Sequence, residues 1–166
     1  MIVVSADLGL DGAIAVLHSN GYAEAWQMPK AGEDYDRRAI LDTIEPLATQ
    51  GAVGVMERVW GSPQMGAAAA FRFGQGYELW KCAFTFFGMP FTEVVPANWK
   101  RAHALPKRKT TVERKRDAIS KCRDEFPNVN IARVQHQPYS GKALERIYSD
   151  GKADALLIGL WRLRQG

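Results

Sequence analysis

Four carboxylates carry the chemistry this sequence offers. Asp150 and Asp154, in "SDGKADALLIGLW", lie four residues apart and therefore share one face of a helical turn. The same helix is otherwise built for burial, with Ala153, Leu156, Leu157, Leu160 and Trp161 forming its apolar side. Asp7 closes an apolar, β-branched run at residues 2–6, and Glu57 closes "AVGVM". Singly, each has an ordinary explanation. Asp7 suits a turn, Glu57 could pair with Arg58, and acids at a helix N-terminus complement its dipole. If the four converged they could not all stay ionised, because like charges a few ångströms apart force one to take up a proton. Hard divalent cations remove that conflict. Mg²⁺ prefers carboxylate oxygens, and pairs of ions about 4 Å apart promote in-line attack on a phosphodiester.

A second signal is basic. Between Asn98 and Arg123 stand Lys100, Arg101, Lys107, Arg108, Lys109, Arg114, Lys115, Arg116, Lys121 and Arg123, ten of the 22 basic residues, against Glu113 and Asp117 alone. This segment carries about +8 in a chain of net charge +4, so the remainder is acidic. Such asymmetry predicts a polyanion partner, with a solvated helix face as the alternative. The stretch "LPKRKTT" has no helical periodicity that would make it a face. Arg58 and Trp60, just past Glu57, are placed to touch the same partner, with Trp60 either stacking on a base or half-buried in its loop. Trp99 reads as core packing or as an anchor for the basic segment. His18, His103 and His136 read as structural.

The elements that must position these residues follow from periodicity. Residues 2–6, 12–18 and 22–28 read as three antiparallel strands, the last two joined by "SNG", which tolerates positive φ. A helix follows with Asp36 as its cap and Gly51 as its stop, and then a buried strand ends on Glu57. Residues 65–87 form a long helix, apolar round most of its girth, with Tyr77, Trp80, Phe84 and Phe87 in one stripe and small residues at Ala67–Ala70. One face can cover the sheet, and the other predicts a two-fold dimer. Residues 91–95 form a fifth strand, and Pro96 opens a helix. Residues 105–110 are a flexible basic loop, Thr110 or Thr111 caps the next helix, and residues 127–148 are irregular. The order predicts a single α/β domain spanning residues 1–166, with a mixed five-stranded sheet (three antiparallel strands, then two parallel) and helices on both faces. Cys82 and Cys122 have neither disulfide nor zinc spacing, and no signal peptide or membrane-spanning run stands out, so the expected place is the cytoplasm.

Four stretches, "SADLGLDGAIAVL", "VGVMERV", "VVPANWKR" and "DGKADALLIGLW", together resemble the RuvC family of Holliday junction resolvases, most nearly its short bacteriophage forms. The likeness runs in order along nearly the whole chain. It implies an RNase H-like fold, a homodimer formed through the helix of residues 65–87, and cleavage of four-way DNA junctions in a bacterial or phage-infected cell. Other branched DNA is included in the expected range. It also implies two Mg²⁺ ions per site, replaceable by Mn²⁺, with Asp7 bridging them, Asp154 on the first and Glu57 on the second. Hydrolysis would leave a 5′-phosphate and a 3′-hydroxyl, with Lys107, Lys109 or Lys152 assisting the charge at phosphorus. Lys100, Arg101, Lys107, Arg108, Lys109, Arg114 and Lys115, together with Arg58 and Trp60, become the expected DNA contacts. Two positions depart from the family pattern. The turn is Asp7-Leu8-Gly9 in place of D-P-G, and Gly151 stands where an acid or histidine is usual, which makes Asp150 the substitute ligand. Asp11 is a bystander or outer-shell candidate. The alternatives are an RNase H-like nuclease acting on RNA–DNA hybrids and a non-cleaving junction-binding protein.

Overall fold

Alternation in the first strand sends its side chains into two apolar layers, and covering both layers accounts for the rest of the architecture. A computed structural model describes residues 1–60, 66–134 and 146–166. In chain order the elements are β1 (Ile2–Asp7), β2 (Ala13–His18), β3 (Ala23–Gln27), β4 (Lys30–Ala31), β5 (Asp34–Tyr35), α1 (Arg37–Thr49) and β6 (Val53–Glu57). They continue with α2 (Ala67–Phe86), β7 (Phe91–Val94), α3 (Pro96–Ala102), α4 (Thr111–Glu125), β8 (Ala132–Val134), β9 (Arg146–Tyr148) and α5 (Asp150–Leu163). The main sheet has five strands in the order β3-β2-β1-β6-β7. Its first three strands are antiparallel, and β1, β6 and β7 run parallel, as the strand pattern predicts.

Side chains alternate across a strand, so Val3, Ser5 and Asp7 share one face of the sheet with Val53, Val55 and Glu57. On that face Val3, Ala15, Leu17 and Val55 pack with Trp99 of α3, Cys122 of α4 and Leu156 and Leu157 of α5. On the other face Val4, Ala6, Val16 and Met56 pack with Ile40 and Ile44 of α1 and with Trp80 and Phe84 of α2. Each such fully buried aliphatic or aromatic side chain contributes about 1.5–3 kcal/mol.

Local signals set the helix starts. Asp36 accepts a hydrogen bond from Ala39 N at α1, and Thr110, the first of the two threonine candidates, caps α4 in a reciprocal box with Glu113. Ser149 caps α5 by accepting from Lys152 N. Close approach explains Gly151. A Cβ there would stand 2.9 Å from the Asp11 carbonyl oxygen and 2.9 Å from Gly12 Cα, so α5 lies directly on the β1–β2 turn. Gly12 is tighter still, since a Cβ would fall 2.1 Å from the Asp7 carbonyl oxygen.

Three details differ from the sequence reading. Helix α2 begins at Ala67, and Met65, its expected first residue, lies outside the described residues. The two-residue pair β4–β5 inserts between β3 and α1. Residues 127–148 are not wholly irregular, because β8 and β9 pair antiparallel. Strands of two or three residues leave too short a pattern for alternation to be recognised.

Candidate active site

The parallel pairing of β1 with β6 matches Val3 to Val53 and Ala6 to Met56. Carried one residue further, the same register sets Asp7 beside Glu57 at the strand ends, on one face of the sheet. Helix α5 crosses that face and is pinned to it by Ser5 Oγ, which donates to the Ala155 carbonyl at 2.7 Å. Asp154, one residue before that anchor, is held over the two strand ends. Asp7 feels the charges of Asp154, Glu57 and Asp150, and Asp154 feels those of Glu57 and Asp150.

Burial is the main force on them. It pushes the Asp7 carboxyl up to about 8, with the charges of Asp154, Glu57 and Asp150 adding to the rise and a hydrogen bond from the Gly9 backbone opposing it. Asp154 is pushed up to about 7, again chiefly by burial, with Lys100 pulling it back. Both residues keep some surface exposure, although their carboxyls are embedded in protein. Glu57 is raised by burial too, and is steadied by a hydrogen bond from Trp99 and by the charge of Lys100.

Each acid has a distinct arrangement. Glu57 Oε1 accepts from Trp99 Nε1 at 2.6 Å, and Asp150 is ion-paired with Lys115 at 2.6 Å. Among the described residues, no three His, Cys, Asp or Glu side chains close round a common point that could hold a metal ion. The donor set nevertheless fits a hard cation. Asp154 Oδ1 is buried with no hydrogen-bond partner among the described residues, and an anionic oxygen in that position is costly unless positive charge reaches it. Asp7 and Asp154, brought together from opposite ends of the chain and both pushed well above the usual carboxylate range, make the same demand whenever they ionise together.

A cleft of about 560 Å³ opens beside these acids. Lys100, Arg101, Lys107, Arg108, Arg114 and Lys115 line it, and Asp150 and Asp154 form its acidic end. Six of the expected polyanion contacts therefore share one concave surface with two of the expected ligands. Lys109 is exposed but does not line the cleft, and Arg58 and Trp60 stand outside it on the loop past β6. Trp60 is 67% exposed, which sets aside the half-buried reading and leaves its ring free to stack.

Other candidates resolve differently. Lys152 Nζ lies 3.5 Å from the carbonyls of Asn130 and Ala132, so it serves β8 and not the acids. The lysines that act on the acids are Lys100 and Lys115, which the charge pattern placed among DNA contacts without assigning them that role. Asp11 is ion-paired with Lys30 at 2.7 Å. His103, read as structural, is buried with Nε2 2.7 Å from the Leu157 carbonyl. His18 stacks edge-on against Tyr22, and His136 lies outside the described residues. Sequence reasoning missed the contact of Trp99 with Glu57. Nothing in the spacing of the two residues announces it, because it arises where α3 leaves the end of β7 and folds back over β6.

Comparison with known proteins bears on the fold. No protein-family model matches the chain, and no curated protein matches it. Solved structures do. Thermus thermophilus RuvC in complex with a Holliday junction substrate is 15% identical with a TM-score of 0.56, over 96% of this chain and 91% of that one. A second T. thermophilus RuvC structure is 16% identical with a TM-score of 0.51, over 96% of this chain and 92% of the other. An identity this low speaks for architecture alone, and the architecture of this chain is the RNase H-like α/β fold of RuvC.

Proposed function

We propose that this chain is a structure-selective endonuclease that resolves four-way DNA junctions, and other branched DNA, by divalent-metal-dependent phosphodiester hydrolysis. The observation that carries this reading is the juxtaposition of buried, cation-seeking carboxyls at Asp7 and Asp154 with a cleft lined by six cationic side chains. A solved protein of the same fold, RuvC, has been captured on a Holliday junction, which favours branched DNA over other polyanions.

In this reading Asp7, Asp154 and Glu57 would together hold two Mg²⁺ ions, and Asp150 is the remaining candidate ligand. Mn²⁺ would serve in place of Mg²⁺. Such ions supply an activated water and stabilise the leaving oxygen. The protein's own part is placement. Arg101, Lys107 and Arg114 hold phosphates along the cleft, so that the strand to be cut arrives at its acidic end. Lys100 and Lys115 spread positive charge next to the acids, where negative charge develops at phosphorus. Lys115 is itself held ready by Asp150, whose hydrogen bond raises its affinity for the proton. Trp60, on the loop past Glu57, would stack on an unpaired base at the crossover.

The enzyme would act as a homodimer. The sheet takes up Trp80 and Phe84 of α2, while Phe71 and Phe86, on the rest of that helix, are 68% and 79% exposed. A second copy covering this surface would present two cleft sites to two equivalent strands. A monomeric mass by light scattering at micromolar concentration would sink the dimer. The activity is tested on labelled four-way junction, linear duplex and RNA–DNA hybrid, each with Mg²⁺, Mn²⁺ and EDTA. The expected result is metal-dependent cleavage of the junction. Cutting of the hybrid with the junction ignored would turn the assignment toward an RNase H-like activity, and junction binding without cleavage in either metal would make the chain a binding protein.

A further inference from the structure

The indole of Trp99 is fully buried, and its Nε1 donates to Glu57 Oε1 at 2.6 Å. The simplest account is that a buried indole N–H has found an acceptor. The same molecule argues against that account. Trp80 is equally buried, yet among the described residues its Nε1 has no hydrogen-bond partner, so burial alone does not secure an acceptor for an indole in this fold. The Trp99 contact is also charge-assisted and short, in the range of strong hydrogen bonds to a carboxylate. On its outer side the same ring carries the ammonium of Lys100, 5.0 Å from its centroid, and Lys100 acts electrostatically on both Glu57 and Asp154. One side chain thus touches an acid through its edge and steers the nearest cation through its face.

We propose that Trp99 is a positioning residue for Glu57: its N–H holds one carboxylate oxygen fixed, so that the other is presented to a divalent cation shared with Asp7 and Asp154. This rests on the reading of those three acids as metal ligands. An indole suits the task, because it only donates, does not titrate in the physiological range and has no charge to compete with the cation. Partners of this kind fix the orientation of a ligand, and losing one typically weakens metal affinity about 10- to 100-fold.

The test measures binding of Mg²⁺ and Mn²⁺ by calorimetry, without DNA, for wild type, Trp99→Phe, Glu57→Gln and the double variant. Phenylalanine keeps a ring face for Lys100 and removes only the N–H and part of the volume. The expected result is affinity about tenfold weaker in Trp99→Phe, with little further loss when Glu57→Gln is added, since the two changes remove one interaction. Affinity within twofold of wild type would overturn the proposal, whatever the melting temperature does, because a role in packing alone would lower stability and leave metal binding intact. Wild type that binds neither ion would overturn both this proposal and the metal-site reading, whereas unchanged affinity in Trp99→Phe would overturn the proposal alone. Should Trp99→Phe fail to fold, ¹⁵N-labelled wild type decides. The indole signal that moves in Glu57→Gln must also move with Mg²⁺ along the calorimetric binding curve, and a silent signal at saturation overturns the proposal.

Discussion

Asp7→Asn is expected to melt higher than wild type in EDTA at pH 8 and to lose junction cleavage. Both effects have one cause. In the unfolded chain Asp7 ionises near 3.8, and burial in the folded state holds its proton until about 8. Between those values the native state binds more protons than the unfolded state, so stability falls as pH rises through the window from about 4 to about 8. Wild type without metal therefore carries a penalty at pH 8 that is absent near pH 4. Asparagine has no such charge to bury, and its advantage should widen steadily from pH 4 to pH 8. With each pH unit worth about 1.4 kcal/mol at most, the gain is on the order of a few kcal/mol after relaxation and water entry. Added Mg²⁺ should reverse the order, because it stabilises wild type by mass action and finds a weakened site in the variant. Cleavage should fall by at least roughly 10²- to 10³-fold, the scale of removing one stabiliser of transition-state charge. Thermal melts from pH 5 to pH 8.5, with EDTA and with Mg²⁺, decide the matter. If Asp7→Asn melts no higher than wild type at pH 8 in EDTA, Asp7 is not a buried carboxyl in need of a cation.

The parts of this site that sequence makes legible are those fixed by short-range pattern. Alternation in residues 2–18 and the Asn20-Gly21 turn are enough to place Asp7 at a strand end, and the β1–β6 register then brings Glu57 beside it. Apolar spacing likewise places Asp154 on a buried helix. What stays hidden depends on how helices cross. Lys115 meets Asp150 only because α4 packs along α5, and Trp99 meets Glu57 only because α3 returns over the sheet. No periodicity in a single segment carries such angles. The departure at Gly151 shows the same limit from the other side. A glycine in place of an acid or histidine looks like a lost ligand, yet its cause is steric: α5 lies so close to the Asp11–Gly12 backbone that any side chain there would collide with it. Asp150, one residue earlier, lies at the acidic end of the cleft.

The second large effect expected concerns the cleft. Arg101→Ala/Lys107→Ala/Arg114→Ala should weaken junction binding on the order of 10²-fold near physiological salt, taking about 1 kcal/mol per solvent-exposed phosphate contact. These three are chosen because the other cations of the cleft are committed. Arg108 is ion-paired with Asp117 at 2.7 Å, Lys115 is paired with Asp150, and Lys100 acts on the acids. Arg114 does make hydrogen bonds to the Thr110 carbonyl and Thr111 Oγ1, but these are neutral acceptors that leave its charge for a phosphate. A loss of bulk electrostatic attraction and a loss of specific contacts can be told apart by salt. Each phosphate contact removed should make the slope of log K against log salt shallower by about 0.9, so the triple variant should lose roughly 2 to 3 from that slope. Because none of the three touches a carboxylate among the described residues, the cutting rate at saturating junction should change little while KM rises. An unchanged salt slope would mean that DNA does not follow this cleft. A fall in kcat with KM preserved would mean that these side chains serve the acids, and the division of labour between the two ends of the cleft would have to be redrawn.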